Sequence, residues 1–264
     1  MNVTINNLDD IVSRKGDWLF AEISTSDELL AEAIERERYG GRGFSDFAAV
    51  LQSALTWVWL KWHSGQDRDA IESTIAKAVA YARKITSNLS ESYARDLFDS
   101  HLMHLATLGQ DARYSREACD LIAPNDDRRE VRAFLYAWNQ LLKSSILEDE
   151  KGIKRACDQF VAATASKQLR CPAKSLIKAF AADDGKRFRK GLSEQFRREW
   201  VSVRQDGRVV SETETGVVLD MRSRNMNFFW PWDSCVLSKL AMKRGISVIH
   251  DDVWSPLGFV EVVT

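Results

Sequence analysis

Apolar residues recur every three or four positions along most of the chain, and this spacing predicts a series of amphipathic helices. The clearest stripe is formed by Phe134, Leu135, Trp138 and Leu141. Stripes with the same spacing occur in residues 26–38, 45–62, 71–82, 94–108, 153–164, 172–180 and 188–203. Short polar segments join these stripes, and short connections favour antiparallel neighbours. The sequence therefore predicts an all-α fold, built as an array of antiparallel helical hairpins.

Three tryptophans on one of these predicted helices cannot all face the same core. Trp57 and Trp59 lie on different sides of the helix, and Trp62 follows them. Either neighbouring helices cover both sides, or one tryptophan anchors a partner protein. A layered array of helices accounts for all three residues, and we expect that arrangement.

The helical pattern changes at Asp206. Asp206 and Gly207 form a turn signal, and the runs 208–210 and 216–219 are short and rich in valine. Such runs are typical of short strands. They are predicted to pair as a hairpin, which would be a small β element near the C-terminus.

One further helix is predicted at residues 232–244, and Gly245 is expected to end it. The aliphatic run 246–249 that follows is interpreted as a short edge strand. We expect residues 1–264 to form a single α-helical domain, with 206–264 as its C-terminal capping segment.

The composition narrows the class of protein. The 264 residues carry 37 lysines and arginines against 38 acidic residues, so the formal net charge is −1. This balance argues against a general nucleic-acid coat and against a polybasic membrane binder. Residues 1–10 show no secretory signal, and no apolar run reaches the roughly 20 residues that span a bilayer. The four cysteines form no Cys-x-x-Cys pair, which indicates reduced thiols. We therefore expect a cytoplasmic protein without a membrane partner.

Two histidines form a candidate metal site. His101 and His104 are three residues apart on a predicted helix, a spacing that can direct both rings at one metal ion. Asp99 or Glu91 would have to supply a third ligand. Apolar residues interleave with the pair, so a position at the edge of the core is the simpler interpretation. We expect neither a metal nor another cofactor.

Signatures of catalysis are absent from the rest of the sequence. It contains no phosphate-binding loop and no Ser/His/Asp or Cys/His signature. The glycine-rich stretch 40–43 follows a predicted helix and is interpreted as a linker. His63 lies at a helix end, where a cationic ring would complement the helix dipole. His250 precedes Asp251 and Asp252, with either of which it would pair. We expect a protein that is not an enzyme.

One segment, residues 167–208, is strongly basic, with twelve lysines and arginines against five acidic residues. The interleaved Phe188, Phe196 and Trp200 give it the pattern of a nucleic-acid-binding helix. The same aromatic residues form the predicted buried stripe, which would keep them from stacking on bases. A solvated basic face is therefore the favoured interpretation, and contact with phosphate is the alternative.

Aspartates occur in four adjacent pairs, and a longer acidic cluster accompanies them: Asp9-Asp10, Asp126-Asp127, Asp183-Asp184, Asp251-Asp252 and Glu148-Asp149-Glu150. Several of them lie near predicted helix starts, where carboxylates accept hydrogen bonds from free backbone amides. Acidic loops at one end of a stack of hairpins would equally form a rim for a basic partner. Both interpretations stay open at this point.

The C-terminal segment carries a resemblance to a known family. A predicted helix ends in Arg244-Gly245, and an aliphatic-x-Val strand with Ile246 and Val248 follows it. An acidic position, Asp252, and an aromatic-x-Pro sequence, Trp254-Ser255-Pro256, close the segment. With these features, residues 235–260 resemble the C-terminal signature of the immunity protein 49 family of bacterial polymorphic toxin systems.

This resemblance implies an immunity protein that binds a cognate toxin in the producing cell and neutralises it by occluding the toxin's active site. A cationic toxin such as a nuclease would suit the acidic loops. The expected contacts are Asp126, Asp127, Glu148, Asp149 and Glu150.

Two hypotheses from other classes remain. A helical scaffold or regulator would contact nucleic acid through residues 186–198, and its binding would be sensitive to salt. A metal-dependent helical enzyme would use His101 and His104. The immunity protein is the favoured hypothesis, and nucleic acid is not an expected partner.

Overall fold

The computed structural model describes residues 2–40, 45–65, 67–88, 95–122, 133–164, 173–205, 209–212, 216–219 and 232–248. Helices make up most of these residues, which confirms the predicted helical class. None of the helices described is long and apolar enough to cross a membrane.

Eleven helices are described: α1 (Leu8–Ile23), α2 (Asp27–Gly40), α3 (Ser45–Gly65), α4 (Arg68–Asn88), α5 (Arg95–Leu108), α6 (Ala112–Leu121), α7 (Ala133–Ile146), α8 (Glu150–Ala163), α9 (Lys174–Ala181), α10 (Gly185–Gln205) and α11 (Trp232–Lys243). Three strands accompany them: β1 (Asn2–Ile5), β2 (Val209–Glu212) and β3 (Gly216–Leu219).

Contacts within the chain divide it into two compact units. The terminal unit comprises Met1–Ile11 and Thr164–Thr264, and the central unit comprises Val12–Ala163. The single domain expected from the sequence, with a capping segment at 206–264, stays a prediction.

Two pairs of consecutive helices in the central unit, α5–α6 and α7–α8, form antiparallel hairpins. The ring of Trp138, early in α7, lies 6.2 Å from that of Phe160, late in α8. Likewise the hydroxyl of Ser115, early in α6, donates to the carbonyl of Ala106, late in α5, at 2.8 Å. In each pair the start of one helix meets the end of the other, which is the geometry of a helical hairpin.

Helix α5 is the most enclosed helix of the central unit. It packs on α3, α4, α6 and α7, and every residue from Phe98 to Leu108 is buried. Most polar side chains on buried helices form hydrogen bonds or ion pairs within the protein. The guanidinium of Arg95 pairs with Asp99 one turn along, at 2.8 Å. The side-chain amide of Asn139 on α7 donates to the carbonyl of Asp96 at 2.9 Å.

The three tryptophans of α3 are all buried, as the layered arrangement predicts. The indole N–H of Trp57 donates to the carbonyl of Val12 on α1 at 3.2 Å, and the ring of Phe20 meets Trp57 edge-on. On other sides, α3 packs on α4 and α5. Neighbours therefore cover more than one face of this helix, and none of its tryptophans is exposed.

Helices α9 and α10 form the antiparallel hairpin of the terminal unit. The rings of Phe180, late in α9, and Phe188, early in α10, are 6.1 Å apart. The backbone N–H of Ala173, just before α9, donates to the side chain of Gln195, further along α10, at 3.1 Å. Three residues of the predicted seam on α10 are buried: Phe188, Leu192 and Phe196.

Helix α11 ends one residue before the predicted position. Its final residue is Lys243, and Gly245 follows with a φ of 77°, a left-handed conformation that glycine adopts without strain. The N–H of Ile246 donates to the carbonyl of Ala241 at 2.9 Å. This turn satisfies a carbonyl that the helix end would otherwise leave without a partner.

The segment after α11 departs from the sequence-based expectation. The edge strand predicted at 246–249 is wrong for its first three residues, which pair with no strand, and its fourth residue lies outside the described ranges. Ile246 and Val248 are buried, and the guanidinium of Arg189 on α10 donates to the carbonyl of Ser247 at 3.4 Å. The alternating apolar residues thus reflect packing against helices rather than a sheet.

The three strands form one small sheet in the order β1–β3–β2. β1 runs parallel to β3, with Asn2 opposite Gly216. β2 runs antiparallel to β3, with an irregularity between Val209 and Ser211. β2 and β3 lie in the two valine-rich runs of the sequence, whereas β1 was not predicted.

The burial of α5 leads to a prediction about stability. Leu102 is fully enclosed on α5, so Leu102→Ala should lower the free energy of unfolding by about 3 kcal/mol, because it removes buried methyl groups and leaves a cavity. The same substitution at Leu29 on α2, which is 58% exposed, is the matched control and should cost less than about 0.5 kcal/mol. Urea unfolding followed by circular dichroism measures both values. Equal losses would contradict the packing described for α5.

Candidate functional site

The histidine pair of α5 bonds to neighbouring helices. His101 Nδ1 lies 3.0 Å from the carbonyl of Ala48 on α3, and since a carbonyl only accepts, Nδ1 carries the proton. Burial, assisted by the nearby His104, lowers the pKa of His101 to about 4, although the bond to Ala48 works in the opposite direction. His101 is therefore neutral at pH 7.

His104 is held in a similar way by a different neighbouring helix. Its Nε2 accepts a hydrogen bond from the indole N–H of Trp138 on α7 at 3.1 Å. Asp99, one of the two acidic residues considered as a third metal ligand, pairs with Arg95, and the other, Glu91, lies outside the described ranges. Within those ranges, no three metal-ligating side chains come together. The bonds of the histidine pair thus join α5 to α3 and α7.

His63 is not the cationic ring that the sequence suggested. Its ring centroid lies 4.0 Å from that of Trp59, one turn earlier on α3. Burial lowers the pKa of His63 to about 4, so the ring is neutral at pH 7 and carries no charge for the helix dipole. The tryptophan four residues earlier was the sequence signal for this environment. His250 and its acidic neighbours lie outside the described residues.

The cysteines whose positions are described are buried, and none of these forms a disulfide. They are Cys119, Cys157 and Cys235, and Cys171 lies outside the described ranges. Burial raises the pKa of the Cys119 thiol to about 11, although Lys143 acts in the opposite direction. A thiol with such a pKa carries almost no thiolate at neutral pH.

The acidic cluster forms the turn between α7 and α8. Glu148 is exposed and has a φ of 57°, and Asp149 accepts a hydrogen bond from the backbone N–H of Gly152 at 3.0 Å. Asp149 therefore caps the start of α8, while Glu150 begins that helix. The other two expected contacts, Asp126 and Asp127, lie outside the described ranges.

An exposed leucine adjoins the acidic cluster, and the sequence analysis did not single it out. Leu147 is 52% exposed in the same turn. In the sequence, the only sign of this exposed side chain was a leucine located after the apolar stripe of α7 had ended. We call residues 147–150 the acidic turn. It combines one exposed apolar side chain with three carboxylates on one short segment.

The basic helix offers charge without accessible aromatic rings at its described positions. Four cations of α10 are exposed: Lys186, Arg187, Lys190 and Arg197. Phe188 and Phe196 are buried, as predicted, and cannot stack on bases. In the described part of α10, only the positive charge therefore still supports binding of nucleic acid.

No protein-family model, no curated protein and no solved structure matches the chain. The segment that resembles an immunity family is described as far as Val248, and this part contains α11 and the turn at Gly245. Its remaining residues, among them Asp252, Trp254 and Pro256, lie outside the described ranges.

The buried histidines lead to a prediction about pH. In the folded chain His63 and His101 stay neutral down to about pH 4, whereas in the unfolded chain they bind a proton near the ordinary value of 6.5. The unfolded state therefore binds more protons between these values, so the free energy of unfolding falls as the pH is lowered. We expect a loss on the order of 2 kcal/mol per histidine between about pH 7 and about pH 5.

Urea unfolding at a series of pH values measures this dependence. The His63→Gln variant lacks one of the two histidines with a lowered pKa. The free energy of unfolding of this variant should therefore change less steeply with pH than that of the unaltered chain. An identical slope in both proteins would contradict the burial assigned to His63.

Proposed function

We propose that this chain is a bacterial immunity protein, without enzymatic activity, that binds a cognate toxin in the cytoplasm of the producing cell. Binding neutralises the toxin by occluding its active site. The family resemblance of residues 235–260 supports the class, and the helical fold agrees with it.

The observation that carries the proposal is the composition of the acidic turn. Leu147 is half exposed and is followed directly by the acidic residues 148–150. Protein interfaces place an apolar anchor at the centre of a polar rim, and the anchor contributes affinity once the rim excludes water. A turn with this composition suits a protein partner better than a small molecule.

The backbone of the acidic turn is held in place before any partner arrives. The N–H of Asp149 donates to the carbonyl of Ser144 at 2.8 Å, and the N–H of Glu148 donates to the carbonyl of Ser145 at 3.3 Å. The side chain of Asp149 adds its bond to Gly152. A surface that is ordered in advance loses less conformational entropy when it binds.

The charge of the acidic turn indicates the chemistry of the toxin. Three successive carboxylates attract a basic surface and accelerate encounter with it. Enzymes that act on nucleic acids present such basic surfaces around their active sites. A cationic nuclease is therefore the proposed class of toxin, and the acidic turn would occupy part of its substrate-binding surface.

The experiment that tests this function starts from the native bacterium. The tagged chain is used as bait, and the protein that co-purifies in stoichiometric amount is expressed alone in a host that lacks both genes. We expect this partner to stop growth, and co-expression of the chain to restore it. A partner that leaves growth unaffected, or one whose toxicity the chain does not relieve, would contradict the proposal.

A charge reversal tests the role assigned to the acidic turn. The variant Glu148→Lys/Glu150→Lys should lower the association rate constant with the toxin roughly tenfold at low salt, because attraction becomes repulsion at the contact. Asp149 is left unchanged because it caps α8. Stopped-flow or surface plasmon resonance kinetics provide the rate constants.

The control variant Asp120→Lys/Asp158→Lys changes the net charge by the same amount at exposed positions of α6 and α8. Its association rate should stay close to that of the unaltered chain. If both variants associate equally slowly, or if neither is slowed, the acidic turn is not the contact.

A further inference from the structure

A groove between α9 and α10 is not used by the proposed function. It encloses about 430 Å³ and opens to solvent along the helical hairpin of the terminal unit. Its floor consists of residues with little or no side chain: Ala179, Ala182 and Gly191.

The groove results from the close approach of the two helices. A Cβ atom at Gly191 would lie 3.2 Å from the Cα of Leu176 on α9, tighter than the ordinary contact distance between carbon atoms. Glycine at this position brings the backbones together. The alanines beside it leave the space above the seam empty, where longer side chains would fill it.

Cations stand on both sides of the groove. Lys178 projects from α9, and Arg187 and Lys190 project from α10, and all three are exposed. Arg187 Nε lies 3.3 Å from a carboxylate oxygen of Asp184. Neither Lys178 nor Lys190 forms an ion pair with any residue in the described ranges. Two ammonium groups are thus available on opposite walls for an anionic ligand.

Acidic and hydroxyl groups also line the groove, and they restrict the type of ligand. Asp184 accepts a hydrogen bond from the backbone N–H of Arg187 at 3.0 Å and faces the groove together with Glu194. Ser175 adds a hydroxyl. A nucleic-acid strand carries a negative charge on every phosphate, so the two carboxylates would repel it along its length, whereas a peptide can separate its acidic residues with neutral ones. A peptide carries both donors and acceptors and is compatible with this mixed lining.

We propose that the groove between α9 and α10 binds an acidic peptide segment of a protein partner. The carboxylates of the segment pair with Lys178, Lys190 and Arg187, its apolar atoms lie on the floor at Ala179 and Gly191, and its backbone N–H groups donate to the groove carboxylates. The inference does not depend on the partner being a toxin.

Peptide selection on the full chain tests the inference. Displayed dodecapeptides are panned on the chain, with the variant Lys178→Glu/Lys190→Glu as the counter-target. We expect the selected peptides to be rich in Asp and Glu, and to bind the unaltered chain roughly tenfold more tightly than the variant, because two attractive charge contacts become repulsive. A single-stranded oligothymidine, measured in parallel, should bind more weakly than the peptides.

Two further variants separate the groove from the general charge of the helix. Lys186→Glu/Arg197→Glu makes the same change of charge on α10 outside the groove and should alter peptide affinity less than roughly threefold, because exposed charges at a distance are screened. Ala182→Phe fills the groove without changing any charge and should abolish peptide binding. Circular dichroism verifies that each variant is folded.

The inference is overturned if the selection enriches no peptide, or if the enriched peptides lack acidic residues. It is also overturned if these peptides bind Lys178→Glu/Lys190→Glu as tightly as the unaltered chain, or if Ala182→Phe leaves their affinity unchanged. Tighter binding of oligothymidine than of the peptides would overturn it as well. The experiment involves no toxin, so its failure leaves the growth test of the proposed function unaffected.

Discussion

The enclosure of helix α5 on all sides is the constraint on which the central unit depends. A buried helix has little access to water, so hydrogen bonds within the protein stabilise the polar side chains that form them. His101 bonds to α3, His104 to Trp138 on α7, and Arg95 to Asp99 within α5 itself. These directional bonds select one arrangement of the neighbouring helices, which the non-directional burial of leucines and phenylalanines alone would not do.

This arrangement links the core to the proposed contact surface. Trp138 on α7 bonds to His104, and its ring packs against Phe160 on α8. The hairpin of α7 and α8, which the acidic turn connects, is therefore attached to α5 through buried contacts. These buried contacts and the turn's own hydrogen bonds hold Leu147 and its acidic neighbours in a fixed position. The proposed contact surface requires such order, because a surface that is ordered in advance loses less entropy on binding.

The sequence predicted the features that depend on local periodicity. The stripes of α7 and α10 and the glycine stop of α11 lie where the spacing placed them, because the same side chains that form the pattern form the core. It failed at His63, whose ring lies against Trp59 and is kept neutral by a degree of burial that the amphipathic pattern does not reveal. Helix α1 and strand β1 were overlooked, although Val3 and Ile5 alternate with polar residues. The groove between α9 and α10 combines small residues from two helices, and no local pattern contains that information.

The most direct test of the proposed function is a titration of the activity of the proposed toxin, once purified, with the purified chain. Occlusion of the active site predicts that activity falls in proportion to the chain added and disappears at one equivalent, since a covered site cannot bind substrate. A stable stoichiometric complex in which the toxin keeps its full activity would contradict the central claim, because the chain would then bind the toxin without neutralising it.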